Sequence, residues 1–145
     1  MTPIKKTQGC LNFQLRRTSR QVSRYYDDAL RPIGLRISQF NILAMLAQTG
    51  PLSVSDLANR LGMERSALAR NLKPIAREGL VVVSHGDDRR TRLAKLAPAG
   101  TRKLRQALPT WNRAQDKLVA KLGSRQAAVL VEVLSRMRKV LSDGN

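Results

Sequence analysis

Apolar residues recur at helical spacing in the first third of the chain. Over residues 9–31, leucine, valine and tyrosine return every three or four positions, which predicts an amphipathic helix with arginines on its other faces. Pro32 and Gly34 end this helix. A second helix is predicted to begin near Ser38, a residue suited to an N-cap. Its apolar residues lie nearly all round the helix, which indicates burial on most sides.

The middle of the chain has the pattern of two short helices joined by a turn. Ser53 and Asp56 match a capping box, with a hydroxyl at the cap and a carboxylate three residues later. A short helix should therefore begin at Val54, and Gly62 should end it. A further helix is predicted over 65–77, with apolar residues on one side and basic or small polar residues on the other.

A β-hairpin is predicted after this second helix. The β-branched run over 80–84 is typical of a strand, and the polar stretch 85–90 has turn chemistry. Residues 93–96 alternate between apolar and other side chains, so they are expected to pair back as a second strand. Two helices, the second of them basic, followed by a hairpin make a winged helix-turn-helix.

The last third of the chain carries two heptad-like seams. Apolar positions step by three and four residues from Leu104 to Leu122, and again from Ala127 to Leu141. An antiparallel pairing of these two helices within one chain accounts for most of both seams. The apolar surface left over favours a homodimer in which the first helix joins the last two.

The predicted fold is mainly α with a small β-hairpin wing. A winged helix-turn-helix over about 36–97 is expected beside a helical dimerisation region formed by about 9–31 and 98–143. Together they form a single domain over 1–145, a length typical of one domain.

The net charge of the chain indicates what kind of molecule this fold binds. The chain has 27 Lys plus Arg against 10 Asp plus Glu, a net charge of +17, and the excess is spread over its whole length. A folded domain with so positive a field favours a polyanion, and double-stranded DNA is the expected partner.

Several classes of protein are disfavoured. No apolar run approaches the ~20 residues that cross a bilayer, so no membrane partner is expected. One cysteine cannot form an internal disulfide, which fits a reducing cytoplasm. One histidine and one cysteine cannot build a His/Cys metal site. With no Gly-rich phosphate loop and no nucleophile-and-base set, neither a cofactor nor a catalytic residue is predicted, and the protein is not expected to be an enzyme.

The basic helix 65–77 is the main candidate for reading DNA. A major groove admits one α-helix, and base edges accept hydrogen bonds from arginine and asparagine. Suitable side chains are Arg65, Ser66, Arg70, Asn71 and Lys73. The arginines would prefer guanine, and Asn71, if it faces the groove, adenine. The alternative is that these charges only solvate a surface helix.

The hairpin tip is the second candidate. Its arginines, Arg89, Arg90 and Arg92, are placed to reach an adjacent minor groove, where narrow A·T-rich stretches concentrate negative potential. Asp88 is expected to pair with an arginine and to fix the orientation of the loop.

Ser53, at a helix N-terminus, suits phosphate binding, although capping explains it equally well.

These motifs resemble one family. Residues 52–58 (LSVSDLA), 70–75 (RNLKPI), 78–81 (EGLV) and 88–90 (DRR), followed by Leu96 and Gly100, are similar to the MarR family (multiple antibiotic resistance regulators). The resemblance covers about residues 10–141 and implies a dimeric transcription regulator, usually a repressor, that binds a short palindrome. It places Arg90 in the minor groove and gives Asp88 the role of positioning the wing. On the groove-facing part of the recognition helix it puts Ser66, Ala67, Arg70 and Asn71.

The sequence departs from the family at two points. Ala97 stands where the family has threonine, so one hydroxyl is missing, and Glu64 stands where a better cap, serine or aspartate, is common.

The resemblance also implies a small effector, frequently phenolic, that releases DNA. By analogy the positions near its cleft are Phe13, Arg17, Tyr25, Gln39 and Leu43. The alternative for each is an ordinary core or solvent-facing residue.

Cys10 is a candidate redox site, because some family members sense peroxide through a cysteine at the start of the first helix. Aligning Phe13 with their pattern, however, puts Asn12 at the sensing position, so an idle or buried thiol is the alternative.

The predicted function is therefore a sequence-specific, ligand-relieved repressor acting as a homodimer on a pseudo-palindromic operator. Two alternatives stay open. One is a nucleoid-type architectural protein with little sequence preference, which the net charge of +17 supports. The other is a regulator that responds to oxidants through Cys10.

Overall fold

The computed structural model describes residues 7–88 and 90–144. Helices and strands account for most of this part of the chain. The α-helices are α1 (Leu11–Leu30), α2 (Ile37–Thr49), α3 (Val54–Leu61), α4 (Arg65–Arg77), α5 (Pro98–Leu122) and α6 (Ser124–Asp143). The strands are β1 (Leu52–Ser53), β2 (Val81–His85) and β3 (Arg92–Leu96). The mainly helical fold with a hairpin wing is confirmed.

The three strands form one antiparallel sheet in the order β1-β3-β2. The predicted hairpin is β2 with β3, paired from Val81 opposite Leu96 to His85 opposite Arg92. The third strand was not predicted, since β1 is only two residues long and leaves no alternation to detect. It pairs with β3 through Leu52 opposite Ala94, so the start of α3 is held beside the base of the hairpin.

The described residues up to Thr110 form one compact unit, in which α2, α3 and α4 bury most of their large apolar side chains. The predicted burial of α2 on most sides is confirmed, because Phe40, Ile42, Leu43 and Leu46 are all buried. The largest side chains that are fully buried are Leu30, Ile42, Leu43, Leu46, Leu57, Leu68, Ile75 and Val81. This aliphatic core comes mainly from α2, α3, α4 and the hairpin, and it fixes those elements against one another.

The start of α5 lies very close to the main chain just before β2. A Cβ atom added to Gly100, which is buried, would overlap the carbonyl oxygen of Leu80 and approach Leu96. Only glycine fits there, so Gly100 sets how closely α5 can begin beside the hairpin.

The N-terminus of α2 differs from the predicted arrangement. The helix begins at Ile37 rather than after a Ser38 cap. Asp27 of α1 caps this helix instead, since its Oδ1 accepts a hydrogen bond from the Ile37 backbone N–H at 2.8 Å. The Ser38 hydroxyl is thereby available for another contact.

Residues 111–144 form a second unit, made of the last part of α5 and of α6, which are separated by Gly123 in a left-handed conformation (φ 101°). No residue of α6 is classed as buried. Its exposed large apolar residues are Val129, Leu130, Val131, Val133, Val140 and Leu141. A single copy of the chain therefore leaves these six apolar residues exposed, while Leu134 and Met137 of the seam are half-buried.

None of the helices within residues 7–88 and 90–144 combines the length and the apolar character that a bilayer-spanning helix requires.

Candidate nucleic-acid interface

The first helix of the helix-turn-helix, α3, is closed at both ends. Ser53 has an extended backbone, and its Oγ accepts a hydrogen bond from the Asp56 backbone N–H at 3.0 Å, as the capping pattern predicted. Gly62 ends the helix in the left-handed region with φ 63°. Leu57 and Ala58 are buried, so α3 is fixed on the core with its polar side outward.

The second helix, α4, separates its apolar and basic residues cleanly. Leu68, Leu72 and Ile75 are buried. The exposed residues include four of the predicted reading side chains: Arg65, Ser66, Arg70 and Lys73. Glu64 occupies the N-cap without a side-chain hydrogen bond, which agrees with the expectation that it caps poorly.

Arg65 also contacts the preceding helix. Its Nη2 donates a hydrogen bond to Ser55 Oγ across the turn between α3 and α4. This contact holds the arginine near the N-terminus of α3.

The hairpin tip is ordered by hydrogen bonds around Asp88. The Gly86 N–H donates to Thr91 O at 2.7 Å, and the Thr91 N–H donates to Asp88 O at 2.8 Å. Asp88 Oδ1 accepts from the backbone N–H of Arg90 at 3.1 Å. This bond from an Asp side chain to the backbone two residues on is a common turn arrangement, and the expected pairing of Asp88 with an arginine side chain stays a prediction because Arg89 lies outside the described residues.

One concave surface brings the two candidate regions together. It has a volume of about 510 Å³ and lies between the start of α3, the first turns of α4 and the hairpin tip. Its lining residues are Ser53, Val54, Ser55, Arg65, Ser66, Ala69, Arg90, Thr91 and Arg92. Three arginines and no carboxylate line it, so its electrostatic character suits an anionic surface.

The arginines of this surface have no internal counter-charge. Among residues 7–88 and 90–144, no ion pair is described for Arg65, Arg90 or Arg92, and all three are exposed. Apart from the bond of Arg65 Nη2 to Ser55, their guanidinium groups remain available for phosphates or base edges.

Lys73 lies beside a second concave surface, of about 520 Å³, between α4 and the hairpin. Arg77, Val83 and Arg92 also line it. Arg92 therefore borders both surfaces, while Lys73 stands farther along α4 than Arg65.

Asn71 differs from the predicted groove-facing position. It is half-buried, its Oδ1 accepts a hydrogen bond from Ser38 Oγ at 2.7 Å, and its Nδ2 donates to Ala67 O at 2.8 Å. Both ends of the amide are used inside the protein, so the side chain is not presented to a base edge. No local pattern could have revealed this contact, since Ser38 is 33 residues away.

The positions inferred for an effector are not gathered in one cavity. Phe13 and Arg17 line a depression of about 560 Å³ along α1, whereas Gln39 lines another beside Asp27. Gln39 Oε1 also accepts from the backbone N–H of Arg36 at 3.0 Å, and Leu43 is completely buried.

Tyr25 is half-buried and packs edge-on against Tyr26, with ring centroids 5.3 Å apart. Burial raises the pKa of the Tyr26 phenol above its usual 10.0, and neighbouring Tyr25 adds to the effect.

The remaining residues predicted from the sequence are Cys10 and Arg89. Cys10 is exposed at the N-cap of α1 and makes no side-chain capping bond. Arg89 lies outside the described residues. No group of three or more His, Cys, Asp or Glu side chains in the described part of the chain is placed to hold a metal ion.

Comparison with known proteins connects this geometry to a family. A MarR family model matches residues 33–91, which span α2 to the wing tip. The transcriptional regulator MosR of M. tuberculosis, solved in complex with DNA, is 36% identical, with a TM-score of 0.72 over 89% of this chain and 98% of MosR.

Two more distant structures share the fold. The transcriptional repressor CouR, solved bound to a 23-mer DNA duplex, is 23% identical, with a TM-score of 0.79 over 95% of this chain and 99% of CouR. BpsR of Bordetella bronchiseptica, whose DNA binding is regulated by 6-hydroxynicotinic acid, is 21% identical, with a TM-score of 0.78 over 88% of this chain and 98% of BpsR.

These relatives are transcription regulators rather than enzymes. The capped α3, the basic α4 and the arginine-tipped hairpin form the winged helix-turn-helix that they share, and MosR matches the chain over nearly its own full length. The chain belongs to the MarR family of DNA-binding transcriptional regulators.

Proposed function

We propose that this protein is a homodimeric repressor that binds a pseudo-palindromic operator and releases it when a small ligand binds. The observation that carries the proposal is the concave surface between α3, α4 and the wing, where Arg65, Arg90 and Arg92 converge without a carboxylate. In this arrangement α4 is proposed to enter a major groove and the hairpin the adjacent minor groove.

The side chains divide by role. Arg65 and Arg70 are proposed to contact guanine edges, and Arg90 the minor groove. Ser53 and Lys73 are proposed to contact phosphates, which position the protein without reading sequence. The full proposed contact set is Ser53, Arg65, Ser66, Ala67, Arg70, Lys73, Arg90 and Arg92, with Arg89 retained from the sequence pattern. Asp88 positions the wing.

The homodimer is supported by the apolar residues that one copy leaves exposed. On α6, Leu130 is 46% and Leu141 is 68% exposed, and at the start of α1, Leu11 is 65% exposed. Burying such residues between two copies is favourable at about 25 cal/mol per Å² of apolar surface. A two-fold dimer presents two α4 helices to major grooves about 34 Å apart, and its site is then a palindrome.

Release by a small ligand is supported by the regulation of BpsR by 6-hydroxynicotinic acid. We propose a small aromatic, phenol-like effector that binds beside α1, where Phe13 and Arg17 line one depression. Such a ligand weakens DNA binding only as far as it binds the released shape more tightly than the DNA-bound shape.

The test begins with selection of binding sites from random duplex DNA. We expect an inverted repeat with half-sites about one helical turn apart. Recovery of no palindrome would contradict a symmetric, sequence-specific dimer.

Arg70→Ala is then compared with Arg105→Ala, which removes the same charge from an exposed position on α5. Loss of a bidentate base contact is expected to cost about 1–3 kcal/mol on the selected site and less on random DNA. Arg105→Ala should change neither affinity beyond its share of the overall charge. If Arg70→Ala weakens both affinities equally, the alternative architectural function, favoured by the net charge of +17, is supported instead.

Redox regulation through Cys10 stays a prediction. Cys10→Ser should keep DNA binding and abolish any release by peroxide, as measured by band shift with and without oxidant. An unchanged oxidant response in Cys10→Ser would remove this thiol from the mechanism.

A further inference from the structure

A short chain of hydrogen bonds ties the recognition helix to the helix behind it. Ser38 Oγ on α2 donates to Asn71 Oδ1 on α4 at 2.7 Å, and both residues are half-buried. The two residues are 33 positions apart in sequence, so the bond joins two separate helices rather than one turn. Leu68 and Leu72 of α4 are buried, and the burial of apolar side chains favours compact packing but is non-directional.

The other end of the Asn71 amide fixes its orientation. Nδ2 donates to the carbonyl oxygen of Ala67, one turn back along α4, at 2.8 Å. The reversed amide would place Oδ1 against that carbonyl oxygen, and two acceptors repel each other. Only one orientation therefore satisfies both contacts, and it holds the turn 67–71 at a defined rotation relative to Ser38.

This series of hydrogen bonds ends at α1 on one side and beside the proposed DNA-contacting residues of α4 on the other. Ala67 is next to Ser66 and one turn from Arg70, which belong to the proposed contact set. Ser38 lies in the first turn of α2, which Asp27 of α1 anchors through the Ile37 N–H at 2.8 Å. Three successive side-chain contacts thus run from α1 through α2 to the turn of α4 that carries the proposed reading residues.

We propose that Asn71 and Ser38 are positioning residues, which set the orientation of the reading turn of α4 and so determine DNA specificity without touching DNA. This proposal rests on the proposed function, because it presumes that α4 reads base edges. Bidentate contacts from arginine to guanine need a fixed helix orientation, whereas phosphate contacts tolerate small rotations. Loosening the Ser38–Asn71 bond therefore weakens binding to the selected site more than binding to random DNA.

The experiment compares Ser38→Ala, Asn71→Ala, the double variant and Ser38→Thr, which keeps the hydroxyl. Affinities for the selected operator and for random duplex DNA are measured across a range of salt concentrations, with thermal unfolding as a check on folding. Each alanine variant should lose roughly tenfold in operator affinity, the size of a typical buried hydrogen bond, with little change on random DNA. The double variant should lose no more than the worse single variant, because both remove the same contact. Ser38→Thr should retain operator affinity close to that of the unmodified protein.

The salt dependence provides a further readout. Removing a phosphate contact lowers the slope of log K against log salt by about one unit, and neither Ser38→Ala nor Asn71→Ala should do so. A lowered slope in either variant would overturn the proposal.

Two other results would overturn it. If Asn71→Ala loses affinity only on operators with one particular A·T pair while Ser38→Ala is neutral, Asn71 reads adenine directly. If Ser38→Ala and Asn71→Ala weaken operator and random DNA equally, the contact serves only stability.

The proposed function is tested separately by Arg70→Ala. A loss of specificity in that variant, with none in Ser38→Ala, would reject the positioning role alone. No loss in either would reject the assignment of α4 as the reading helix.

Discussion

Residues 37–96, the reading region, and the helix α6 are both basic and amphipathic, yet they differ in how their apolar residues are covered. In the reading region most of the large apolar side chains of α2, α3 and α4 are buried, and the described arginines are exposed. In α6, no residue is classed as buried, and apolar residues such as Val131 and Leu141 are more than 60% exposed.

The difference shows which part of the molecule is complete in one copy. The core and the α3 cap of the reading region come from its own residues, and Asp27 of α1 caps α2, so these contacts are complete within one copy. The apolar face of α6 has no such cover, and a large exposed apolar surface marks an interaction site. Charge alone would not separate the two regions, since α6 also carries Arg136, Arg138 and Lys139.

The largest expected effect comes from making the exposed face of α6 polar. Leu130→Asp combined with Leu141→Asp places two charges in the proposed interface, where an unpaired buried carboxylate is very costly. We expect the dimer to dissociate and operator affinity to fall by more than about 100-fold, because two linked half-sites bind far more tightly than one. Light scattering coupled to size exclusion, together with band shift, measures both effects.

The matched control adds a carboxylate to the same helix away from those leucines. Ser135→Asp, on an exposed position of α6, should leave the dimer intact. A monomeric Ser135→Asp, or a fully dimeric leucine variant, would contradict the proposed role of this face.

A smaller effect is expected from a methyl group placed just beside each region. Gly100→Ala would overlap the carbonyl oxygen of Leu80, which is main chain and cannot move aside easily. We expect a loss of about 1–3 kcal/mol in the free energy of unfolding, as in other overpacked cores. Gly144→Ala, just after α6, would bring its Cβ to 3.6 Å from Val140 O, an ordinary contact, and should change stability by less than about 0.5 kcal/mol.

Urea unfolding at one fixed protein concentration compares these two variants, since a dimer's stability depends on concentration. Equal stability of Gly100→Ala and Gly144→Ala would mean that the start of α5 is not packed more tightly against the hairpin than the end of α6 is packed.

The smallest expected effect comes from adding the N-terminal capping bond that α4 lacks. Glu64 is the N-cap of α4 and makes no side-chain capping bond. Glu64→Ser should supply that bond and raise the free energy of unfolding by about 1 kcal/mol. Glu64→Ala removes the same charge without adding a hydroxyl, so a gain equal to that of Glu64→Ser would assign the effect to charge rather than to capping.

The sequence by itself determined the local features of this protein. The Ser53 cap, the end of α3 at Gly62 and the hairpin strands follow from residues within a few positions of each other, and the structure has all of them. The same holds for the split of α4 into a buried apolar side and an exposed basic side, since helical periodicity alone sets which residues share a face. For this reason the fold and the region of the candidate site were predictable.

Only the tertiary structure decided which residues from distant segments contact one another. It placed Ser53 and Arg90 around one concave surface, through a strand too short to leave a pattern. It gave the Asn71 amide to Ser38 rather than to solvent, and it made Gly100 necessary because a carbonyl oxygen lies against it. Such contacts depend on how whole helices pack. The identities of a residue and of its neighbours in sequence do not determine which atoms from distant segments it will contact.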